Sequence, residues 1–299
     1  MLHGMINVYK EAGFTSHDVV AKLRGILRQK KIGHTGTLDP DAVGVLPVCL
    51  GSATRLCDML TDRGKEYRAR MLLGVVTDTQ DLSGKVLEQH EVNLTEEAVR
   101  EAAAAFIGGY DQIPPMYSAL KVNGKRLYEL ARQGKEVERT ARRIEIPALE
   151  IEEIHLPEVT MKVCCSKGTY IRTLCHDMGA RLGCGGAMAF LERTRVGEFR
   201  VEEALPLAEI QRLKESGELA QKILPVDTVF QAYQPVTVAD AFRKLIDNGN
   251  PFLEHMIRKE GQYQDREVVR VYNEDGRFYG IYEYRGEGRF HPVKMFMEN

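Results

Sequence analysis

Tyr67, Ala69, Met71 and Leu73 alternate with Arg68 and Arg70, the period-two pattern of a strand with one buried face. Val159, Met161, Val163 and Cys165 repeat that pattern, and Met5 to Tyr9 reads as a shorter strand before a turn at Gly13. The period then changes. Val19, Val20, Leu23, Ile26 and Leu27 share one helical face, with Thr15 or Ser16 placed to cap it. A second helix begins near Thr169, buries Ile171, Leu174, Cys175, Met178 and Leu182, and ends at Gly183; a third spans Thr95 to Ile107 and closes at Gly108-Gly109. Gly33 to Gly51, rich in Gly and Pro, reads as a long shaped loop.

The pattern changes again near Gln231 to Pro235. Beyond it the sequence predicts a helix over Ala239 to Asp247, an Asn-Gly-Asn turn at Asn248 to Asn250, and strands at Val268 to Tyr272, Arg277 to Tyr284 and His291 to Phe296. Strands so spaced suggest a small barrel. No internal repeat or low-complexity tract is present.

A chain of 299 residues can bury a core without disulfides or metals. Its six cysteines form no C-x-x-C pair, so zinc and redox spacings are absent, and the thiols are expected to be reduced. The N-terminus lacks a charged-then-apolar leader and no long apolar window occurs, so the expected location is the cytoplasm, away from membranes. The 41 basic and 43 acidic residues leave a net charge of −2, which by itself suggests no nucleic-acid partner. The distribution is uneven, however. Lys22, Arg24, Arg28, Lys30 and Lys31 form one cationic run. Lys121, Lys125, Arg126, Arg132, Lys135, Arg139, Arg142 and Arg143 form a basic excursion over 121 to 143. Either run is a solvated helix face or an RNA-backbone contact.

Two constellations carry candidate chemistry. Asp39 stands in Gly33-His34-Thr35-Gly36-Thr37-Leu38-Asp39-Pro40-Asp41, a loop with heavy backbone constraint; taken alone, Asp39 reads as an Asx-turn residue before a proline. Cys175-His176-Asp177 suggests thiol catalysis, but catalytic partners meet in space rather than as neighbours, and Cys175 falls on the apolar helix face, so it reads as core.

The string Gly33 to Pro47, GHTGTLDPDAVGVLP, closely resembles the first motif of the TruB family of pseudouridine synthases. Collinear resemblances follow: Gly13-Phe14-Thr15-Ser16-His17-Asp18-Val19-Val20; Lys65-Glu66-Tyr67-Arg68-Ala69; Pro114-Pro115-Met116-Tyr117-Ser118-Ala119-Leu120-Lys121; Lys167-Gly168-Thr169-Tyr170-Ile171-Arg172; and an L-x-R-x-x-V-G segment from Leu191 to Val196-Gly197. The likeness spans most of residues 5 to 230. It implies Asp39 as nucleophile, Tyr67 and Arg172 as its catalytic companions, and His34, Leu191, Lys10 and Tyr170 as substrate-binding residues. It implies no cofactor or metal. The tail looks like a PUA-type RNA-binding domain.

The implied architecture is an α+β catalytic domain over residues 1–230, with a mixed, largely antiparallel sheet, followed by a β-rich domain over 233–299. The implied reaction converts the TΨC-loop uridine of tRNA, position 55, to pseudouridine, carried out by a monomer needing no protein partner. An ionised Asp39 in a pocket needs a cation, and Arg172 is the candidate. Tyr67 offers a ring to an extruded base and a hydroxyl for proton transfer. Two other readings fit the basic surfaces and the tail: a non-catalytic RNA-binding or RNA-folding protein, and a guide-RNA-dependent relative.

Overall fold

The computed structural model describes residues 1–122, 124–259 and 261–297. Eight strands build the central sheet: β1 (Gly4–Lys10), β2 (Ile32–His34), β3 (Val43–Leu50), β4 (Lys65–Leu73), β5 (Ala148–His155), β6 (Glu158–Cys165), β7 (Gly186–Val196) and β8 (Phe199–Arg200). Their order is β1-β3-β7-β4-β6-β5, with β2 paired to β3 and β8 to β7. Every pair is antiparallel except β3 with β7. With its flanking helices this is the mixed, largely antiparallel α+β arrangement expected.

Strands β4 and β6 follow their alternation, because one face packs on the core while the other stays wet. The span 33–51 does not behave as one loop. Residues 43–50 form β3, buried at all eight positions. Leu46, Val48 and Leu50 enter the core that packs on α1 (Ser16–Leu27), whereas Val45 and Cys49 enter the core on the other face. A strand buried on both faces shows no alternation. Pro47 falls in the gap on one edge of β3 where β2 has ended and β7 has not yet joined, so its missing donor costs no ladder bond there.

Helix α1 is capped by Thr15, whose hydroxyl accepts from Asp18 N while Thr15 N donates to the Asp18 carboxylate. Helix α2 (Glu96–Ala104) stops three residues short of the expected end. Ile107 is exposed and finds nothing to pack on, and Gly108 begins a strand, Gly108–Gln112, paired with Arg142–Ile146. Helix α3 (Ile171–Arg181) starts two residues later than expected and buries Ile171, Leu174, Cys175 and Met178. Helix α4 (Leu207–Ser216) packs on α1.

In the last third, β9 (Pro235–Thr237), β10 (Phe252–Leu253), β11 (Val268–Tyr272), β12 (Phe278–Tyr284) and β13 (Arg289–Met295) form a sheet in the order β9-β11-β12-β13-β10. The ladder is open, not the closed barrel expected, since its end strands β9 and β10 are not paired with each other. The helix expected over 239–247 is a 3-10 turn, Asp240–Phe242, then a single short helix, Arg243–Asp247. This sheet packs on the first part through Ile281 and Phe296, which join Met5, Val45 and Phe230 in one core. No helix among the described residues is long and apolar enough to cross a membrane.

Candidate active site

The loop from Thr35 to Ala42 joins β2 to β3, and its backbone is held from four directions. Leu38 N donates to Ser16 Oγ at 2.9 Å, so Ser16 serves this loop while Thr15 caps the helix. Gly13 N donates to Pro40 O at 3.0 Å. From β1, the buried Lys10 ammonium donates to Pro40 O at 2.9 Å, Ala42 O at 2.6 Å and Glu11 O at 3.1 Å. From β7, the buried Arg193 guanidinium donates to Gly36 O, Thr37 O and Val45 O. Leu38 drops into the core as the loop's plug. The next residue, Asp39, keeps its side chain partly exposed.

Arg172, in the first turn of α3, meets Asp39 with two nitrogens: Nε to Oδ2 at 3.0 Å and Nη2 to Oδ1 at 3.3 Å. The guanidinium side chain is only 6% exposed, while that of Asp39 is 41% exposed, so the pair is sealed on the protein side and open on the other. Arg172 also donates to Thr79 O at 3.1 Å, Tyr117 O at 2.8 Å and the Asp81 carboxylate at 3.3 Å. Asp81 is in turn held by Thr79 Oγ1 and Ser83 Oγ. Desolvation pushes the Asp39 carboxyl above its usual range; Arg172 pulls against that, Asp81 adds to it and Lys10 opposes it. A carboxylate gripped in a fork and open on one side is oriented to attack.

Tyr67 lies on β4 and Leu191 on β7. Leu191 faces Ala69 across the ladder and both residues join Leu38 in one cluster, so a phenol and a leucine form an apolar wall near Asp39. Burial raises the Tyr67 pKa, against a downward pull from Arg193. Tyr170, half-buried, sits just before α3, where its N–H donates to Gln112 Oε1 at 2.8 Å. His34 ends β2; its ring stands edge-on to His17 at 5.3 Å, and its Nδ1 accepts from Gly36 N at 3.3 Å. Burial, then His17 and Arg193, hold His34 below its usual pKa, which favours the neutral ring.

Lys10 departs from the expectation. It is wholly buried with three backbone carbonyls around its ammonium, and that burial lowers its pKa to about 8. Its ammonium clamps the loop. Cys175 is also wholly buried, and desolvation pushes its thiol far up, which removes it as a nucleophile. Among the described residues, no group of three or more His, Cys, Asp or Glu is placed to hold a metal.

Sequence reasoning missed Asp81, Ser16 and Arg193 as members of this site. Asp81 carries no local signal, and Ser16, though part of the Gly13–Val20 motif, reads locally as a helix cap. Arg193 is the arginine of the L-x-R-x-x-V-G segment, a charged residue where the strand turns out to be buried.

Of the cations expected to face RNA, Lys22, Arg24, Arg28, Lys30 and Lys31 are all exposed, and Arg24 also donates to Lys30 O and Ile32 O. The basic excursion forms a two-rung hairpin and a short helix, Leu127–Arg132, anchored by Leu127 and Leu130. Lys121, Lys125, Arg126, Arg132, Lys135, Arg142 and Arg143 are exposed on it.

Comparison with known proteins bears on this arrangement. Residues 24–171 match the family model of the TruB family pseudouridylate synthase N-terminal domain, and residues 172–231 that of the tRNA pseudouridylate synthase B C-terminal domain. The chain is 51% identical over 309 aligned residues to the tRNA pseudouridine synthase B of Lachnoclostridium phytofermentans, covering 99% of this chain and all of the relative. It is 44% identical to that of Clostridium perfringens strain SM101, with 99% of this chain and all of the relative covered. Among solved structures, it superposes at a TM-score of 0.73 and 26% identity on an H/ACA RNP bound to a substrate RNA containing 2′-deoxyuridine, and at 0.73 and 28% on a Cbf5-Nop10-Gar1 complex; each likeness covers 99% of this chain and 85% of the other. With matched domain models running from residue 24 to 231 and full-length relatives at this identity, the chain belongs to the TruB family of pseudouridylate synthases.

Proposed function

We propose that this protein is a tRNA pseudouridine synthase that isomerises the TΨC-loop uridine, position 55, through nucleophilic catalysis by Asp39 on a flipped base. The observation that carries the reading is the Asp39–Arg172 fork, with the arginine buried and the carboxylate side exposed, near the cluster that holds Tyr67 and Leu191. The full-length relatives named tRNA pseudouridine synthase B support the reaction and the substrate class.

The reaction breaks the C1′–N1 bond, turns the uracil, forms C1′–C5 and releases the C5 proton, with N1 taking one up. Its atoms balance without an oxidant or a second substrate. Attack at C6 of the uracil or at C1′ of the ribose uses the same ionised carboxylate and returns it at the end. Tyr67 and Leu191 flank the base, and the Tyr67 hydroxyl lies where the C5 proton must leave. A uridine in a folded loop has to be extruded to reach Asp39. His34, neutral and at the rim, takes the vacated position, and a ring stacked there offsets roughly 1–3 kcal/mol of lost base stacking. The exposed cations of α1 and of the turn that follows it, with those of the excursion, hold the RNA backbone, and the C-terminal sheet serves as a PUA-like RNA-binding unit. The protein works as a single chain without a protein partner.

The likeness to H/ACA and Cbf5 complexes favours a second reading, a synthase that acts with a guide RNA. One experiment separates them. Purified protein is incubated with unmodified tRNA transcript alone, and pseudouridine is mapped by chemical labelling and primer extension. The expected product is a single pseudouridine in the TΨC loop. No product without a guide, or product at another site only, overturns the proposal.

Salt dependence tests the RNA surface. If six or so phosphates are engaged, log Kd should rise with log salt at a slope of about 4 to 5. A flat response removes the cationic segments from the binding surface.

A further inference from the structure

Arg193 has the environment of a working group with no role yet. Its residue is 1% exposed, and it is the largest wholly buried side chain among the described residues. Among the described residues, no carboxylate forms an ion pair with it. Three of its partners are backbone carbonyls: Nε donates to Val45 O at 2.7 Å, Nη2 to Gly36 O at 3.2 Å and Nη1 to Thr37 O at 3.4 Å; the Tyr67 side chain is a further hydrogen-bond partner. An uncompensated buried cation is costly, and three neutral acceptors repay only part of that cost. Loop anchoring alone would be met more cheaply by a neutral group, as the Ser16 hydroxyl, which accepts from Leu38 N, already shows.

Its location explains the charge. Arg193 stands directly across the β4–β7 ladder from Tyr67, and Leu191, two residues earlier, stands across from Ala69. Residues opposite one another in an antiparallel pair, and those two apart along a strand, share a face. The guanidinium therefore lies on the Tyr67–Leu191 face. At its back, Gly44 of β3 runs against the Arg193 backbone in the parallel pairing, where any side chain would strike the Arg193 carbonyl. That glycine lets β3 approach closely enough for Val45 O to reach the guanidinium.

We propose that Arg193 is a positioning residue of the pseudouridylation site: it ties the Gly36–Thr37 arm of the Asp39 loop to β7 and holds a permanent positive charge against the Tyr67 phenol. This rests on the reading of Asp39 as nucleophile. The tie fixes the loop three residues before Asp39, while Lys10 fixes it one and three residues after. Two buried cations thus grip the loop's carbonyls, and the carboxylate between them is left for Arg172. The charge has a second consequence. A phenol that relays the C5 proton must pass through partial negative character, and a fixed cation beside it stabilises that state.

Arginine is required because lysine would not stay charged. The titratable groups that interact with this position are Lys10 from β1, His34 from β2, Lys65 and Tyr67 from β4, and Cys165 from β6. Lys10 and Lys65, buried beside Arg193, already have pKa values lowered to about 8. A lysine introduced between them would lose its proton in the same range, whereas a guanidinium keeps its own.

The test is the single-turnover rate of Arg193→Lys on a TΨC stem-loop RNA from pH 6.5 to 9, beside the unsubstituted protein, Arg193→Met and Asp39→Asn. RNA affinity and thermal unfolding are followed at each pH. The rate of Arg193→Lys relative to the parent is expected to fall at least tenfold between pH 6.5 and 9, with RNA Kd changed less than threefold and the melting curves parallel. Arg193→Met, where it folds, should be slow throughout. A purely structural arginine would not impose a pH-dependent ratio on a folded variant. Arg193→Lys tracking the parent at every pH, or a folded Arg193→Met at the parent's rate, overturns the inference. Asp39→Asn keeps the two claims apart: an active Asp39→Asn sinks the nucleophile reading itself, whereas an inactive one beside parent-like Arg193 variants sinks only the role of Arg193.

Discussion

Asp39→Asn should lower the single-turnover rate of pseudouridine formation by at least about 10⁴-fold, the scale at which losing a covalent nucleophile registers. The substitution keeps the side chain's size and removes its charge. Arg172 then loses its fork partner but keeps Asp81, Thr79 O and Tyr117 O, so it stays in place. The fold and the RNA affinity should survive, with Kd within about threefold of the parent, because the cations proposed to hold phosphates lie elsewhere. Quenched-flow assay of labelled RNA, with filter binding alongside, reads both quantities. A variant that turns over normally ends the assignment. The parent's pH profile carries the same logic. Attack needs the ionised carboxylate, whose pKa is raised by desolvation. Activity should therefore be lost as pH falls through a value above the ordinary carboxylate range, and that acid limb should be absent from binding.

Arg172→Met should produce the largest loss of stability of any single change at the site, about 3–5 kcal/mol in chemical denaturation, as when one partner of a buried ion pair is removed. The guanidinium joins two carboxylates and two carbonyls that have no other cation within bonding distance among the described residues. Without it, Asp39 and Asp81 face each other, and Thr79 O and Tyr117 O lose a buried donor. Asp39 would hold its proton to higher pH, so any residual activity should rise with pH further into the neutral range than in the parent, at a rate down by at least about 10³-fold. Arg172→Lys separates charge from geometry: one ammonium cannot bridge both carboxylates and both carbonyls, and it should recover stability more than rate. Parent-like denaturation and turnover in Arg172→Met would show that the fork orients nothing.

The elements that were legible along the chain share one physical property: a single buried face. Strands β4 and β6 alternate, and α1 and α3 carry a stripe, because each has core on one side and water on the other. Strand β3 was hidden by its own burial, since a strand between two cores has no polar phase to reveal its period. Strand β7 was hidden by its bulges between Met188 and Phe190 and between Arg193 and Arg195, each of which shifts the alternation by one.

At the site, the sequence by itself determined the residue types: a carboxylate in a glycine- and proline-bound loop, a tyrosine on an alternating strand, and an arginine at a helix start. Their roles came from collinear resemblance, now joined by family membership over most of the chain. The tertiary structure alone decided their partners. Arg172 reaches Asp39 across 133 positions and Asp81 across 91, and Arg193 reaches Gly36 across 157. It also turned Lys10 from a ligand contact into a clamp and Ser16 from a cap into a loop anchor. Local patterns record which side of an element meets water; they hold no record of which distant carbonyl or carboxylate a buried cation will meet, because that is set by sheet order and register.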